Sequence, residues 1–87
     1  MAETDETKVG KITHFYSKAN VAVVEVIDGS IKVGDDIHIK GHNTDFRQKV
    51  TSMQIENENI ELAEPGQSIG LKVTENVRDN DFVYKLI

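Results

Sequence analysis

Short runs rich in Val, Ile and Thr, separated about every 8–12 residues by Gly, Asn and Asp, most restrict the fold of this sequence. In several runs an apolar residue occupies every second position, as in residues 36–40 and residues 69–73. This alternation places one side of an extended chain in a core and the other side in solvent. No stripe of helical period and about 10 residues or more occurs after residue 9. The pattern therefore predicts an all-β protein built from antiparallel strands.

The spacing of the runs predicts six or seven strands, which cover residues 9–16, 21–27, 37–39, 46–56, 60–62, 69–73 and 82–86. In residues 46–56 the apolar parity shifts between Val50 and Met53, which predicts a bulge or bend near Thr51. Short strands joined by frequent turns are typical of a small, closed antiparallel β-barrel whose interior is filled by side chains. We expect that architecture here.

The length of 87 residues fits one small domain. We expect residues 9–87 to form the barrel, and residues 1–8, which are acidic and aperiodic, to form a disordered N-terminal tail. The tail has no apolar segment of the signal-peptide kind, and no apolar run approaches the roughly 20 residues that cross a bilayer. Since cysteine is also absent, the sequence predicts a cytoplasmic protein that does not associate with membranes.

Two corners are predicted to share one backbone shape. Residues 31–37 and residues 77–83 carry, in the same order, an apolar residue, a base, Gly or Asn, Asp and a β-branched residue. Gly34 and Asn80 are of the two residue types that most readily accept a positive φ. We therefore predict equivalent left-handed corners, each of which begins a strand.

Turn chemistry accounts for the aspartates at these corners. The pairs Asp35/Asp36 and Asp79/Asp81 could look like paired carboxylates for acid–base chemistry, but their place in repeated turns, where Asp35 and Asp81 can accept hydrogen bonds from turn amides, identifies them as turn formers. Gly29 begins the reversal before the first corner. Pro65 and Gly66 have the order of a type II turn.

Residues with the potential for chemistry are few. His38 and His42 are four apart, but they straddle the end of a predicted strand and a glycine, so we expect solvent-facing histidines and not metal ligands. His14 is expected at the surface or at a barrel rim. No nucleophile motif accompanies the Ser, His and Asp residues. The sequence thus predicts no enzymatic activity, no cofactor and no metal.

The order of several motifs resembles the second domain of translational GTPases, the family of elongation factor Tu, elongation factor G and bacterial initiation factor two. The matching segments are residues 9–12, 21–26, 29–37, 50–55 and 64–71. The chain is also similar to the C-terminal barrel of collagenase-like peptidases. The resemblance implies a barrel of the translation-protein (reductase/isomerase/elongation factor) type. It covers the scaffold positions Gly10, Gly29, Gly34, Asp35, Gly66 and Gly70.

In full-length factors such a barrel binds the aminoacyl end of transfer RNA or the small ribosomal subunit. The sequence lacks the Gly-x-x-x-x-Gly-Lys-Ser/Thr phosphate loop, so we expect no GTP site. The resemblance implies a noncatalytic binding module that contacts RNA, the ribosome, tRNA or a translation-related protein, and we expect it to be a monomer. The alternative is an accessory subunit that docks, through a strand edge or an aromatic patch, onto a separately encoded enzyme such as a collagenase-like peptidase.

A local basic face is the candidate binding surface. The formal net charge of −5 argues against broad nonspecific binding of nucleic acid but leaves room for such a face. Arg47 and Lys49 share one side of a predicted strand, and the family's barrel closure would bring Lys11, Lys72 and Arg78 near them. These five side chains could meet RNA phosphates, or they could belong to an ordinary solvated face of alternating charge.

Four aromatic residues are the second candidate surface: Phe15, Tyr16, Phe46 and Tyr84. We expect most of them to plug the barrel ends, although one could stay exposed as a docking anchor. A small-ligand pocket at a barrel mouth is a further alternative, but a barrel of this size is usually filled by its own side chains.

Overall fold

The computed structural model describes residues 6–86, which contain ten β-strands and no helix. The strands are β1 (Glu6–Tyr16), β2 (Val21–Val26), β3 (Ile31–Lys32), β4 (Asp36–Lys40), β5 (Asp45–Lys49), β6 (Met53–Ile55), β7 (Glu58–Ile60), β8 (Leu62–Ala63), β9 (Ser68–Lys72) and β10 (Phe82–Leu86). The all-β prediction is confirmed. Within the same residues, no helix of the length and apolarity needed to cross a membrane occurs.

Eight strands form one antiparallel sheet in the order β5-β4-β10-β1-β2-β9-β6-β7, and β3 and β8 form a separate two-stranded ribbon. The two sides of this sheet are joined through β5 and β6, which are the two halves of one bent segment. The first half pairs with β4 and the second with β9, and the Lys72 N–H donates to the Ser52 carbonyl at 3.1 Å beside the bend. This arrangement is the small antiparallel barrel that the sequence predicts.

The strand count is higher than the predicted six or seven for two reasons. Residues 46–56 do not form one strand, because the chain leaves the sheet between Lys49 and Met53. Val50 and Met53 are each 1% exposed although they are three residues apart, and a continuous strand cannot point both inward. The predicted bend is therefore present. The short predicted strand at residues 60–62 is divided between β7 and β8, and the two-residue strand β3 is an addition.

The barrel begins earlier than predicted. Strand β1 starts at Glu6, which pairs with Leu86, so residues 6–8 belong to the sheet and not to a disordered tail. The acidic composition suggested a solvated segment, but β10 offers these residues a complementary strand edge. The rest of the predicted tail, residues 1–5, lies outside the described residues.

The interior is packed with aliphatic side chains from nearly every strand. Those that are at most 1% exposed include Ile12, Ile31, Ile37, Ile39, Ile69, Leu71, Val9, Val24, Val26, Val50, Val83 and Met53. The predicted alternation in residues 69–73 is confirmed, since its apolar members are all buried. The core leaves the outer faces of the strands to carry any binding surface.

The two predicted corners have the same shape. Gly34 has a φ of 100° and Asn80 a φ of 75°, both in the left-handed region. The carboxylate of Asp35 accepts a hydrogen bond from the Lys32 N–H at 2.8 Å. The carboxylate of Asp81 accepts one from the Arg78 N–H at 2.9 Å. The sequence echo is thus a structural repeat.

The repeat extends to the neighbouring strands. The Gly34 N–H donates to the Val50 carbonyl and the Asn80 N–H to the Ile12 carbonyl, each at 2.8 Å. In return, Val50 and Ile12 donate their own N–H groups to the carbonyls of the corner aspartates, again at 2.8 Å. The hairpin β4–β5 is therefore matched by the pair β10–β1.

The predicted turns at Gly29 and Gly66 are also confirmed. The Gly29 amide donates to the Asp28 carboxylate at 2.9 Å, and Gly29 has a φ of 67°. Gly66 has a φ of 92°, and the Gln67 N–H donates to the Glu64 carbonyl at 3.2 Å, as a type II turn requires.

Candidate functional site

A concave groove crosses the outer face of β2, β9 and β6. It consists of two adjoining cavities of about 520 and 330 Å³. The cavities share four lining residues: Ala19, Val21, Gln54 and Gly70. We call this feature the Gly70 groove.

The groove exists because β9 carries no side chain at its centre. Gly70 pairs with Val23 of β2 and with Gln54 of β6, so it lies in the middle of the outer face. A Cβ atom at Gly70 would lie 3.2 Å from Cγ1 of Val21, which is tighter than ordinary contact. The missing side chain therefore creates the depression, and Val21 and Val23 give it an apolar floor.

An aromatic ring and an ammonium group lie on the rim of the Gly70 groove. Tyr16 is 54% exposed, and its ring packs edge-on against His14 with 4.4 Å between the ring centroids. Lys72 donates from Nζ to the Ala19 carbonyl at 2.9 Å, which holds its stem along the rim. Such a groove can bury an apolar group at its floor while the rim supplies stacking and a positive charge.

The two basic residues of β5 lie beside carboxylates. Arg47 places Nη2 at 3.6 Å from Oε2 of Glu6, and Lys49 places Nζ at 3.1 Å from Oδ1 of Asp36. Both side chains are more than half exposed, so these ion pairs are weak and can exchange for another anion.

The other predicted basic residues lie elsewhere. Lys11 pairs with Phe82 and with Glu25, and Arg78 is an exposed residue of the Asn80 corner. Lys72 lines the Gly70 groove. Of the five basic residues that the sequence singled out, Lys72 alone lines this groove in the described part of the chain.

The expectation of a solvent-facing His38 is wrong. His38 is only 7% exposed, with Nδ1 at 2.7 Å from Oε2 of Glu6 and Nε2 against Oδ1 of Asp45. Its parity on β4 does point outward, as the alternation indicated. The side chains of Glu6 from β1 and Asp45 from β5 then cover the ring, which a pattern confined to one strand cannot show.

The imidazole of His38 changes the acidity of both carboxyl groups. Its hydrogen bond is the main cause that lowers the pKa of Glu6 below the ordinary value, and it does the same to the pKa of Asp45. The charges of Lys40 and Arg47 lower both pKa values further. We call Glu6, His38 and Asp45 the histidine clasp. Residues 6–86 contain no group of three or more His, Asp or Glu side chains arranged to hold a metal ion.

The aromatic residues divide between core and surface. Phe46 is buried and Phe15 packs partly against the core, whereas Tyr84 is half-buried under the ammonium of Lys40, 5.0 Å from its ring centroid. Tyr16 is the exposed member.

Comparison with known proteins places this geometry in a family. The family model for elongation factor Tu domain 2 matches residues 19–79, which include the Gly34 corner and most of the groove. The chain belongs to the elongation factor Tu domain 2 family.

The curated relatives of this domain 2 protein are proteases by name. An uncharacterized protease of Methanocaldococcus jannaschii is 38% identical over 80 residues, which cover 91% of this chain and 19% of the relative. A collagenase of Porphyromonas gingivalis is 37% identical over 81 residues, 92% of this chain and 22% of the relative. The chain thus spans about a fifth of the length of the relatives it matches.

Solved structures agree on the fold. The C-terminal domain of a Geobacillus thermoleovorans protein assigned as a U32 peptidase superposes with a TM-score of 0.83 at 17% identity and covers 90% of each chain. Its selenomethionine form gives a TM-score of 0.82 at 18% identity, with 88% of this chain and 96% of the other covered. At this identity the likeness shows the fold alone.

Proposed function

We propose that this domain 2 protein is a noncatalytic module that docks onto the catalytic part of a U32-type peptidase. The observation that carries the proposal is the match to a protease and a collagenase over nine-tenths of this chain but only a fifth of theirs. In these relatives the barrel accompanies a much longer polypeptide. The same barrel can serve such an enzyme as a fused domain or as a separate subunit.

The Gly70 groove is the surface that we assign to this docking. It combines an apolar floor at Val21 and Val23 with an exposed aromatic residue, Tyr16, at its rim. Interfaces gain most of their binding energy from a few such anchors that lose their water on docking. The edge-on contact with His14 restricts the Tyr16 ring in the free protein. The ring therefore loses less conformational entropy when a partner covers it.

The test is complex formation between this chain and the catalytic part of a related peptidase from which the homologous fifth has been removed. We expect a 1:1 complex by analytical ultracentrifugation and calorimetry. Gly70→Val should fill the groove and Tyr16→Ser should remove the anchor, each weakening the complex by about tenfold or more.

Ser68→Val is the matched control, because Ser68 lies on the same outer side of β9 but lines neither cavity of the groove. It should leave the affinity unchanged. Absence of a complex at micromolar concentration would overturn the docking proposal. Equal affinities for the three variants would show that the interface lies outside the groove.

A second function is supported by the family itself, whose model carries the name of elongation factor Tu. In this second proposal the barrel binds RNA, the ribosome or a translation-related protein through Arg47, Lys49, Lys72, Arg78 and Lys11. Removing these charges should weaken binding to tRNA or ribosomal subunits and flatten its dependence on salt. A titration that is unchanged in the variants would reject it.

A further inference from the structure

A second concave surface lies on the other side of the β6–β7 hairpin. It encloses about 420 Å³, and its lining residues are Val33, Thr51, Ser52, Met53, Asn59, Ile60 and Glu61. Three of these side chains, Val33, Met53 and Ile60, are apolar. We call this feature the Val33 groove. It shares Thr51 and Ser52 with the Gly70 groove but lies against the β3–β8 ribbon.

Two exposed apolar side chains lie at the ribbon: Val33 lines this groove, and Leu62 lies on the opposite face. Ile31 pairs with Ala63 and both are fully buried, so Leu62, next along the strand, points outward and is 48% exposed. Val33 is 37% exposed and is fixed in place, because its N–H donates to the Glu61 carbonyl at 3.0 Å. Val33 and Leu62 are half of the four large apolar residues that the described chain exposes.

The rim of the Val33 groove is acidic. Glu61 lines the groove and Glu58 shares the parity of Ile60 on β7, while Glu64 directly follows the ribbon and adds to the negative charge nearby. All three glutamates are exposed, and none forms an ion pair with any residue between 6 and 86. The cation on the ribbon is Lys32, which pairs with Leu62. Three negative charges against one leave the surface suited to a positively charged partner.

The groove also adjoins a free strand edge. Strand β7 is the last in the order of the large sheet, with β6 as its one neighbour among the described strands. An added strand could take up the unpaired backbone groups of such an edge. A second copy of this chain is a poor candidate, because it would bring a net charge of −5 and the same glutamates to the contact.

We propose that the Val33 groove binds an extended basic segment of another protein. An apolar side chain of that segment enters between Val33 and Ile60, and flanking Lys or Arg side chains pair with Glu58 and Glu61, while Glu64 adds to the negative potential nearby. This inference is independent of the docking proposed for the Gly70 groove, since none of the residues that make the proposed contact lines that groove.

The test uses a nine-residue fluorescent peptide of alternating Lys and Val with Leu at its centre, and a second peptide with Glu in place of each Lys. Binding to the intact chain is measured by anisotropy at two salt concentrations, and the site is mapped by amide chemical shifts. We expect the basic peptide to bind, the acidic peptide not to bind, and the shifts to concentrate at Val33 and residues 58–64.

The variant Glu58→Gln/Glu61→Gln/Glu64→Gln should weaken binding by at least fivefold and reduce its salt dependence. The matched control is Glu25→Gln/Glu75→Gln/Asp79→Asn, which changes the net charge equally at exposed positions elsewhere. Val33→Ser tests the apolar contribution separately and should also weaken binding. Equal loss in the two triple variants, binding of the acidic peptide, or shifts centred on another surface would each overturn the proposal.

Discussion

The imidazole Nδ1 of His38 lies 2.7 Å from Oε2 of Glu6, a residue 32 positions away in the chain. The contact joins the first residue of β1 to the centre of β4, two strands that are not neighbours in the sheet. Because Nε2 of the same ring faces Asp45, each ring nitrogen lies against a carboxylate. The histidine clasp thus links side chains of three strands, β1, β4 and β5.

The clasp predicts acid sensitivity. The pKa values of Glu6 and Asp45 lie below their ordinary values of 4.5 and 3.8 in the folded chain. A carboxyl group with a lowered folded pKa stabilises the fold above its unfolded pKa, and this contribution is lost as the pH falls through the folded value. The free energy of unfolding should therefore decrease as the pH falls from about 4.5.

The variant His38→Gln should be less stable at neutral pH and should lose less stability on acidification. Urea unfolding between pH 7 and pH 3 measures both effects. His42→Gln, at an exposed loop position, is the control and should follow the parental curve. Parallel curves for His38→Gln and the parental chain would contradict the role given to the clasp.

The Gly34 corner predicts a purely conformational cost. A Cβ atom at Gly34 would meet nothing within 4 Å, but the residue has a φ of 100°. Gly34→Ala should lower the free energy of unfolding by about 1–3 kcal/mol, and Asn80→Gly should be tolerated. Thermal unfolding measures both. Asp79→Ala, next to the second corner and without a positive φ, serves as the control, and an equal loss there would reject the explanation.

A close approach at Gly41 predicts a coupled pair of residues. A Cβ at Gly41 would fall 1.7 Å from Oδ1 of Asp81, whose carboxylate is buried and caps the Asn80 corner. Gly41→Ala should therefore destabilise the fold by about 2 kcal/mol or more. A double-mutant cycle with Asp81→Ala tests the cause, because the combined loss should be smaller than the sum of the two. Additive losses would show that the clash is not the origin.

The β6–β7 hairpin can be made more stable. Its two-residue loop has positive φ at both positions, 51° at Glu56 and 67° at Asn57, as a type I′ turn requires. Glu56→Asn/Asn57→Gly should raise the free energy of unfolding by about 0.5–1 kcal/mol, which is roughly 2–8 °C in Tm for a domain of this size. Glu56→Gln removes the charge alone and should not produce this gain.

The features that the sequence predicted are those that local chemistry controls. The left-handed corners follow from Gly34 and Asn80 with their aspartates, and the bend follows from the parity shift between Val50 and Met53. Each signal occupies a few consecutive residues. The barrel and its turns could therefore be derived without knowing which strands are neighbours.

The features that the sequence did not predict depend on distant residues. Glu6 and Asp45 meet His38 only after four strands, β1, β10, β4 and β5, have paired, so the alternation along β4 indicated an outward ring but not its cover. The Gly70 groove also needs Val21 opposite the glycine. The available signal for that groove was Gly70 itself, a glycine at the outward position of an apolar strand. The family resemblance assigned Gly70 to the scaffold, and it was therefore not a candidate for a site.

The matched corners have a consequence for how the barrel is joined to other chains. Residues 41–44 connect β4 to β5, and the equivalent place in the second half of the molecule is the gap between Leu86 and Glu6, which are themselves paired. Sealing that gap and opening the polypeptide at residues 41–44 would preserve each ladder of the sheet in a circular permutant. Since residues 6 and 86 emerge side by side, a larger protein can accommodate the entire barrel as an insertion within a single surface loop.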